Sequence, residues 1–165
     1  MPILDPNSIE FISRSPEQTR RVGMRLGGII RDRELICLEG DLGSGKTTFV
    51  QGLAAGWGSL DQVTSPTFVL VNLYRHPIGK RLYHLDAYRL NSSEEAQDLD
   101  LDAMLASGSM VIEWAERISP ILPVECMWIK LSDINAGQRD LIFTAQGKHY
   151  RGILDIFRRR LYGGL

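Results

Sequence analysis

Apolar and polar residues alternate from Ser8 to Ser13, with Ile9 and Phe11 in phase. A period of two predicts a short, half-buried strand. The pattern then changes. Val22, Leu26, Ile29 and Ile30 fall at i, i+4, i+7 and i+8, one face of a helix. Its start is marked by Ser15 as N-cap, Pro16 at the first helical position and Gln18 where a capping box places its amide. Arg20, Arg21, Arg25 and Arg31 lie mostly off the apolar stripe and read as a solvated face. Leu35 to Glu39 is an apolar run of strand length. A glycine-rich turn from Gly40 to Gly45 follows, then helical composition from Lys46 to Ala55, with Gly56 placed to stop it.

Downstream, Phe68 to Tyr74 and Arg81 to Asp86 read as strands joined through Pro77 and Gly79, an antiparallel hairpin. Ser92 caps a helix with Glu95 three residues on, and that helix carries Leu99, Met104 and Leu105 through an acidic segment from Glu94 to Asp102. Met110 to Trp114 predicts a buried strand. Val124 to Ser132 and Arg139 to Gln146 predict a second hairpin around Asn135-Ala136-Gly137, and residues Tyr150 to Tyr162 a closing helix. No repeat, low-complexity stretch or linker interrupts the 165 residues, which suit a single domain. Strands alternating with helices, plus two hairpins, predict a three-layer α/β/α fold with a mixed sheet.

The turn after the second strand carries chemistry. Gly40-Asp41-Leu42-Gly43-Ser44-Gly45-Lys46-Thr47 matches G-x-x-x-x-G-K-[ST] in the required strand–loop–helix context, which makes the predicted fold that of a P-loop NTPase. The glycines allow backbone angles that let main-chain N–H groups converge on phosphate. The helix beyond adds the positive end of its dipole. Lys46 can reach the β and γ oxygens, Thr47 can place a hydroxyl on Mg²⁺, and Thr48 is a further phosphate contact. Such a site needs carboxylates to manage the metal and its water. Asp86 ends one apolar strand and Glu113 another. If both strands run parallel to the one before the loop, both acids emerge beside the triphosphate. The same placement suits an ordinary charge at a strand exit, and spacing leaves both readings open. Val63 to Phe68 holds hydroxyls where P-loop proteins keep a nucleotide-sensing segment, and it reads equally as a turn. Trp114 could pack over the site but reads more readily as core, and His84 reads as a strand residue rather than a metal ligand.

Composition narrows the function classes. The formal net charge is −1, so the whole molecule is not an electrostatic partner for nucleic acid or membranes. Cys37 and Cys126 sit in apolar runs without metal-ligand spacing and read as buried core residues. No signal-peptide pattern and no apolar run of membrane length occur, so no membrane contact and a cytoplasmic location are expected. The guanine-reading N-K-x-D motif is absent, which favours ATP over GTP. A small-molecule kinase and a nucleotide-controlled docking module without turnover are the alternatives to an ATPase. A kinase usually adds an arginine-bearing lid, and the short turn from Arg75 to Arg81 is the nearest candidate.

Four motifs in order resemble the bacterial TsaE (YjeE) family: Gly40 to Thr48, Thr64-Ser65-Pro66-Thr67-Phe68, His84-Leu85-Asp86-Ala87-Tyr88-Arg89-Leu90, and Ile112-Glu113-Trp114. The resemblance implies an ATPase required for threonylcarbamoyladenosine formation at position 37 of tRNAs reading codons that begin with adenine. It implies TsaB and TsaD as partners, with hydrolysis resetting their complex and tRNA met indirectly through it. It assigns magnesium contacts to Thr47 and Glu113, makes Asp86 necessary for hydrolysis, and places further nucleotide contacts near Glu17 and near Gln138 and Arg139, while Lys46 takes its catalytic role from the P-loop motif itself. Slow hydrolysis alone, raised by partners, is the expectation. Arg158, Arg159 and Arg160 lie outside the shared motifs.

Overall fold

The computed structural model describes residues 6–64 and 71–162. The strands are β1 (Ser8–Ser13), β2 (Leu35–Glu39), β3 (Val71–Arg75), β4 (Arg81–Asp86), β5 (Ser109–Glu113), β6 (Cys126–Asn135) and β7 (Gln138–Gln146). They form one sheet in the order β1-β7-β6-β2-β5-β4-β3. The four central strands β6, β2, β5 and β4 run parallel. The outer pairings β1–β7, β6–β7 and β3–β4 are antiparallel, the last two being the predicted hairpins. The sheet is therefore mixed.

Period-two alternation divides the sheet residues between two cores. Ile36, Leu38, Val111, Met127, Ile129, Leu141 and Phe143 face α1 (Pro16–Gly27), α2 (Lys46–Trp57) and α5 (Lys148–Tyr162). Leu35, Cys37, Leu85, Met110, Ile112 and Cys126 face α3 (Ser93–Gln97), α4 (Leu101–Ser107) and a 3₁₀ helix, Ala115–Ile121. The result is the predicted α/β/α arrangement. Both cysteines are buried.

Helix starts follow local chemistry. Ser15 Oγ accepts from Gln18 N at 3.1 Å. Gln18 Oε1 accepts from Arg14 N at 2.7 Å, one residue ahead of the position a strict capping box would use. Asn91 N donates to Glu95 Oε2 at 3.2 Å in the same way before α3.

Several boundaries differ from the expectation. Ile29 and Ile30 are buried but lie beyond α1, which stops at Gly27. Gly56 does not end α2. That helix runs on to Trp57 and is capped by Gly58 at φ 106°. Gly56 instead lets two backbones touch: a Cβ there would sit 2.0 Å from Met24 O. Gly23, Gly27 and Gly52 do the same against Phe49 O, Leu53 O and Arg20 O. Interleaved glycines thus clamp α1 onto the helix that follows the P-loop. The single helix expected after Ser92 is two short ones, broken where Asp100 turns left-handed at φ 53° and caps α4 through Ala103 N. Strand β5 ends at Glu113, because Trp114 turns left-handed at φ 59°. The 3₁₀ helix was not foreseen, and α5 begins two residues before Tyr150. The expected strand start at Phe68 falls outside the described residues, as do Ser65, Pro66, Thr67 and Phe68 of the proposed sensing segment. No helix among the described residues is long and apolar enough to cross a membrane.

Candidate functional site: the P-loop and two strand-end carboxylates

Gly40, Gly43 and Gly45 have φ of 152°, 79° and 101°, angles that side chains rarely adopt. At Gly40 a Cβ would also sit 2.4 Å from Leu131 O. The loop closes with Ser44 N donating to Asp41 O at 3.1 Å, and α2 begins at Lys46. Free N–H groups at a helix start suit an anion. Lys46 is buried, 5% exposed, and donates to Gly40 O at 2.6 Å, Asp41 O at 2.8 Å and Ser44 Oγ at 3.3 Å. Its Nζ stands 4.0 Å from the centre of the Trp114 ring. Burial lowers the lysine's pKa, and Glu113, Glu116, Asp86 and Asp41 oppose that shift.

Because β2, β5 and β4 are parallel, the condition set by the sequence is met: both acids leave the same sheet edge. Asp86 and Glu113 are register partners. Thr47 Oγ1 donates to Glu113 Oε1 at 3.0 Å. Asp86 Oδ1 accepts from Tyr88 N at 2.9 Å. Burial raises the Asp86 pKa, and the neighbouring Glu113 adds to the rise. Leu42, Gly43, Gly45, Lys46, Thr47, Thr48, Asp86, Tyr88, Glu113 and Trp114 line one cavity of about 340 Å³.

The remaining candidates fall elsewhere. Ser44 is buried under the loop. Asp41 supplies a carbonyl to Lys46 and lines the far side of the loop with Glu116 and Lys130. Arg139 supports the loop from behind: Nη2 donates to Gly43 O and Nε to Ser44 O, both at 3.1 Å. Gln138 lends its main-chain carbonyl to Arg139 Nη1. Arg139 also lines a smaller hollow of about 110 Å³ with Pro16, Thr19, Gly43, Gly45, Thr48 and Gly137. Glu17 is exposed on the first turn of α1 and lines neither cavity, whereas its neighbours Pro16 and Thr19 line the smaller one.

Sequence reasoning gave two side chains no part in the site, His84 and Tyr74. His84 Nε2 lies 2.6 Å from Glu113 Oε2, and its Nδ1 2.7 Å from the Tyr74 hydroxyl. Trp114 is half-buried over Lys46, the placement the sequence left open beside a core reading. A signal for His84 existed. It stands two residues before Asp86, so a strand's period of two puts both on one face. Among the described residues no group of three or more His, Cys, Asp or Glu is arranged to hold a metal by itself. One threonine hydroxyl and nearby carboxylates instead suit a Mg²⁺ ion that shares its shell with phosphate oxygens and water.

Known proteins resemble this chain over most of its length. The family model of threonylcarbamoyl adenosine biosynthesis protein TsaE matches residues 13–141. The chain is 38% identical over 131 residues to the tRNA threonylcarbamoyladenosine biosynthesis protein TsaE of Treponema pallidum, covering 79% of this chain and 96% of that one. To the Bacillus subtilis protein of the same name it is 35% identical over 146 residues, covering 88% and 90%. The crystal structure of Bacillus subtilis YdiB superposes with a TM-score of 0.76 at 31% identity, over 93% of this chain and 95% of that one. The family match spans most of the chain and contains the P-loop, both strand-end acids and Arg139, and on it this chain belongs to the TsaE family.

Proposed function

We propose that this chain is a Mg²⁺-dependent ATPase acting in tRNA threonylcarbamoyladenosine biosynthesis. The contact between Thr47 and Glu113 at the mouth of the P-loop, with Asp86 in register beside it, carries the reading. A hydroxyl and two acids at that edge have a purpose where a triphosphate and its metal must be held together. Bound with ATP, Mg²⁺ would neutralise charge on the β and γ oxygens.

The chain's own residues do the rest. Main-chain amides of residues 42 to 47 receive the β-phosphate, helped by the N-terminal end of α2. Lys46 exchanges its bonds to the Gly40 and Asp41 carbonyls for phosphate oxygens. Thr47 and Glu113 would hold the metal side. Asp86, whose burial raises its pKa, sits where a carboxylate can orient water and take its proton. The hollow between Pro16, Thr19, Gly137 and Arg139 is the place for the nucleoside. A site built from positioning and electrostatics is slow while incomplete, which fits stimulation by TsaB and TsaD, with tRNA met through their complex. Cytoplasm follows from such a role.

Phosphate release from ATP tests the proposal, with wild type, Asp86→Asn and Glu113→Gln, alone and with TsaB, TsaD and tRNA. Release that depends on both acids and rises with the partners is expected. Equal release by all three proteins, or a phosphorylated acceptor in place of free phosphate, would overturn it.

A further inference from the structure

Behind the P-loop a row of buried polar groups runs inward from the metal side. Thr47 Oγ1 meets one oxygen of Glu113. The other meets His84 Nε2 at 2.6 Å, and the far ring nitrogen meets the Tyr74 hydroxyl at 2.7 Å. His84 is 0% exposed and Glu113 3%. A carboxylate only accepts, so Nε2 carries the hydrogen and donates to Glu113. The other ring nitrogen, Nδ1, then takes the Tyr74 O–H. The Tyr74 oxygen also lies 3.4 Å from Thr64 O, but its one proton goes to the shorter contact, and Thr64 O is served by Asn72 Nδ2 at 3.1 Å. The imidazole is thus held at both ends.

This arrangement has a consequence for Glu113. The carboxylate attracts Lys46, whose ammonium lies in the same pocket. Left with one unpaired buried oxygen, it would turn toward that ammonium or toward water. The His84 donor removes the incentive and leaves the other oxygen facing Thr47. We propose that His84, oriented by Tyr74, is a positioning residue that keeps Glu113 turned to Thr47 and so sets how strongly the P-loop site takes up magnesium with its nucleotide. This rests on the reading of Thr47 and Glu113 as the metal side of an ATP site.

Three variants test it: His84→Leu, which keeps bulk without a donor, His84→Gln, which restores one, and Tyr74→Phe, which frees the ring. Partners that orient ligand-bearing groups are typically worth about 10–100-fold in metal affinity. His84→Leu should therefore raise the Mg²⁺ concentration for half-maximal turnover by at least about 10-fold. The KM for ATP at saturating Mg²⁺ should move far less. His84→Gln should recover most of the loss, and Tyr74→Phe should fall between. Without nucleotide, ¹⁵N spectra of the three histidines should show His84 as the Nε2–H tautomer, a preference weakened in Tyr74→Phe. If His84→Leu does not fold, Tyr74→Phe decides by the same two readouts. A wild type that responds to Mg–ATP, with variants matching its Mg²⁺ dependence, would overturn this proposal alone, as would an Nδ1–H tautomer. A wild type indifferent to Mg–ATP would overturn the ATPase reading and this proposal together.

Discussion

The two faces of the sheet are built differently. One carries three helices of 12, 12 and 15 residues, two of them locked together by glycines that bring backbone against backbone. The other carries helices of 5 and 7 residues and one 3₁₀ turn, and its buried core includes no residue of β1 or β7. The groups assigned to nucleotide chemistry share the first face. His84, Asp86 and Glu113 alternate with Leu85 and Ile112, which point the other way. The second face sends Tyr88 and Trp114 to the site, Trp114 over Lys46 from a left-handed turn that is costly for a bulky side chain. On the proposed function, chemistry that works by fixed geometry is mounted on the side stiffened by the α1–α2 clamp, and the thin side supplies a roof.

The sharpest test of that division is Lys46→Ala. It removes the ammonium from the P-loop while deleting no apolar core contact of either face. We expect kcat/KM for ATP to fall by about 10²–10³-fold or more, the range for losing one well-placed electrostatic group, with little change in the urea midpoint. A variant with near wild-type turnover would detach chemistry from the stiff face.

Next in size is Gly52→Ala. Its Cβ would stand 1.9 Å from Arg20 O, a backbone atom that cannot swing aside. The helices must separate, at a cost of about 3 kcal/mol in chemical denaturation by the usual range for overpacking. Gly152 in α5 is the control, since a Cβ there meets nothing within 4 Å. Gly152→Ala should instead stabilise by about 1 kcal/mol, the helix-propensity gain. Equal effects at the two glycines would mean that the α1–α2 clamp is not tight.

Leu101→Ala probes the thin face. Leu101 is 7% exposed in the α3–α4 core. Losing it should cost about 2–3 kcal/mol, toward the low end for leucine truncations, because a short helix can settle into the gap. The KM for ATP should stay within about twofold, since separate sites add independently. A large KM change would show that the second face helps shape the site.

The same contrast explains what the sequence made legible. Ser8–Ser13, Leu35–Glu39 and Arg81–Asp86 were readable to the residue, because alternation or an unbroken apolar run ends at a polar or glycine boundary. The P-loop was readable as a motif because its residues are contiguous, whereas Asp86 and Glu113 were readable only as acids at strand ends, and their sharing one edge waited on β2, β5 and β4 being parallel. The rest depended on partners far along the chain. Gly56 looks the same whether it ends a helix or touches another, and only the position of Met24 decides. The break at Asp100 turns on one left-handed residue within an acidic stretch that also suits a helix. Tyr74 became a partner of His84 only through the β3–β4 register, which sets Asn72 opposite His84 and Tyr74 diagonal to it. Arg139 was placed near the nucleotide by resemblance; that two of its bonds also hold the loop's own carbonyls required knowing that β7 lies beyond β6.

The smallest expected effect lies on the uncovered part of the thin face. Asp140 on β7 pairs with Ile12, and Glu10 with Ile142, so the two acids are diagonal neighbours. Asp140 Oδ1 is buried without a hydrogen-bond partner among the described residues. Two carboxylates bond to each other only when one is protonated, and burial, with Glu10 second, pushes the Asp140 pKa up to about 6. The folded chain therefore binds this proton more tightly than the unfolded chain does. The associated stability is complete below the ordinary aspartate pKa of about 3.8 and is lost as pH rises through about 6. Asp140→Asn cannot ionise and can donate a hydrogen bond to Glu10. Its melting temperature should exceed that of wild type by a few degrees at pH 8 and match it near pH 4. The wild-type curve should slope downward between those values where the variant's is flatter. Parallel pH profiles for the two proteins would mean that the acids on this bare strip do not share a proton and that the open part of the sheet costs the fold nothing.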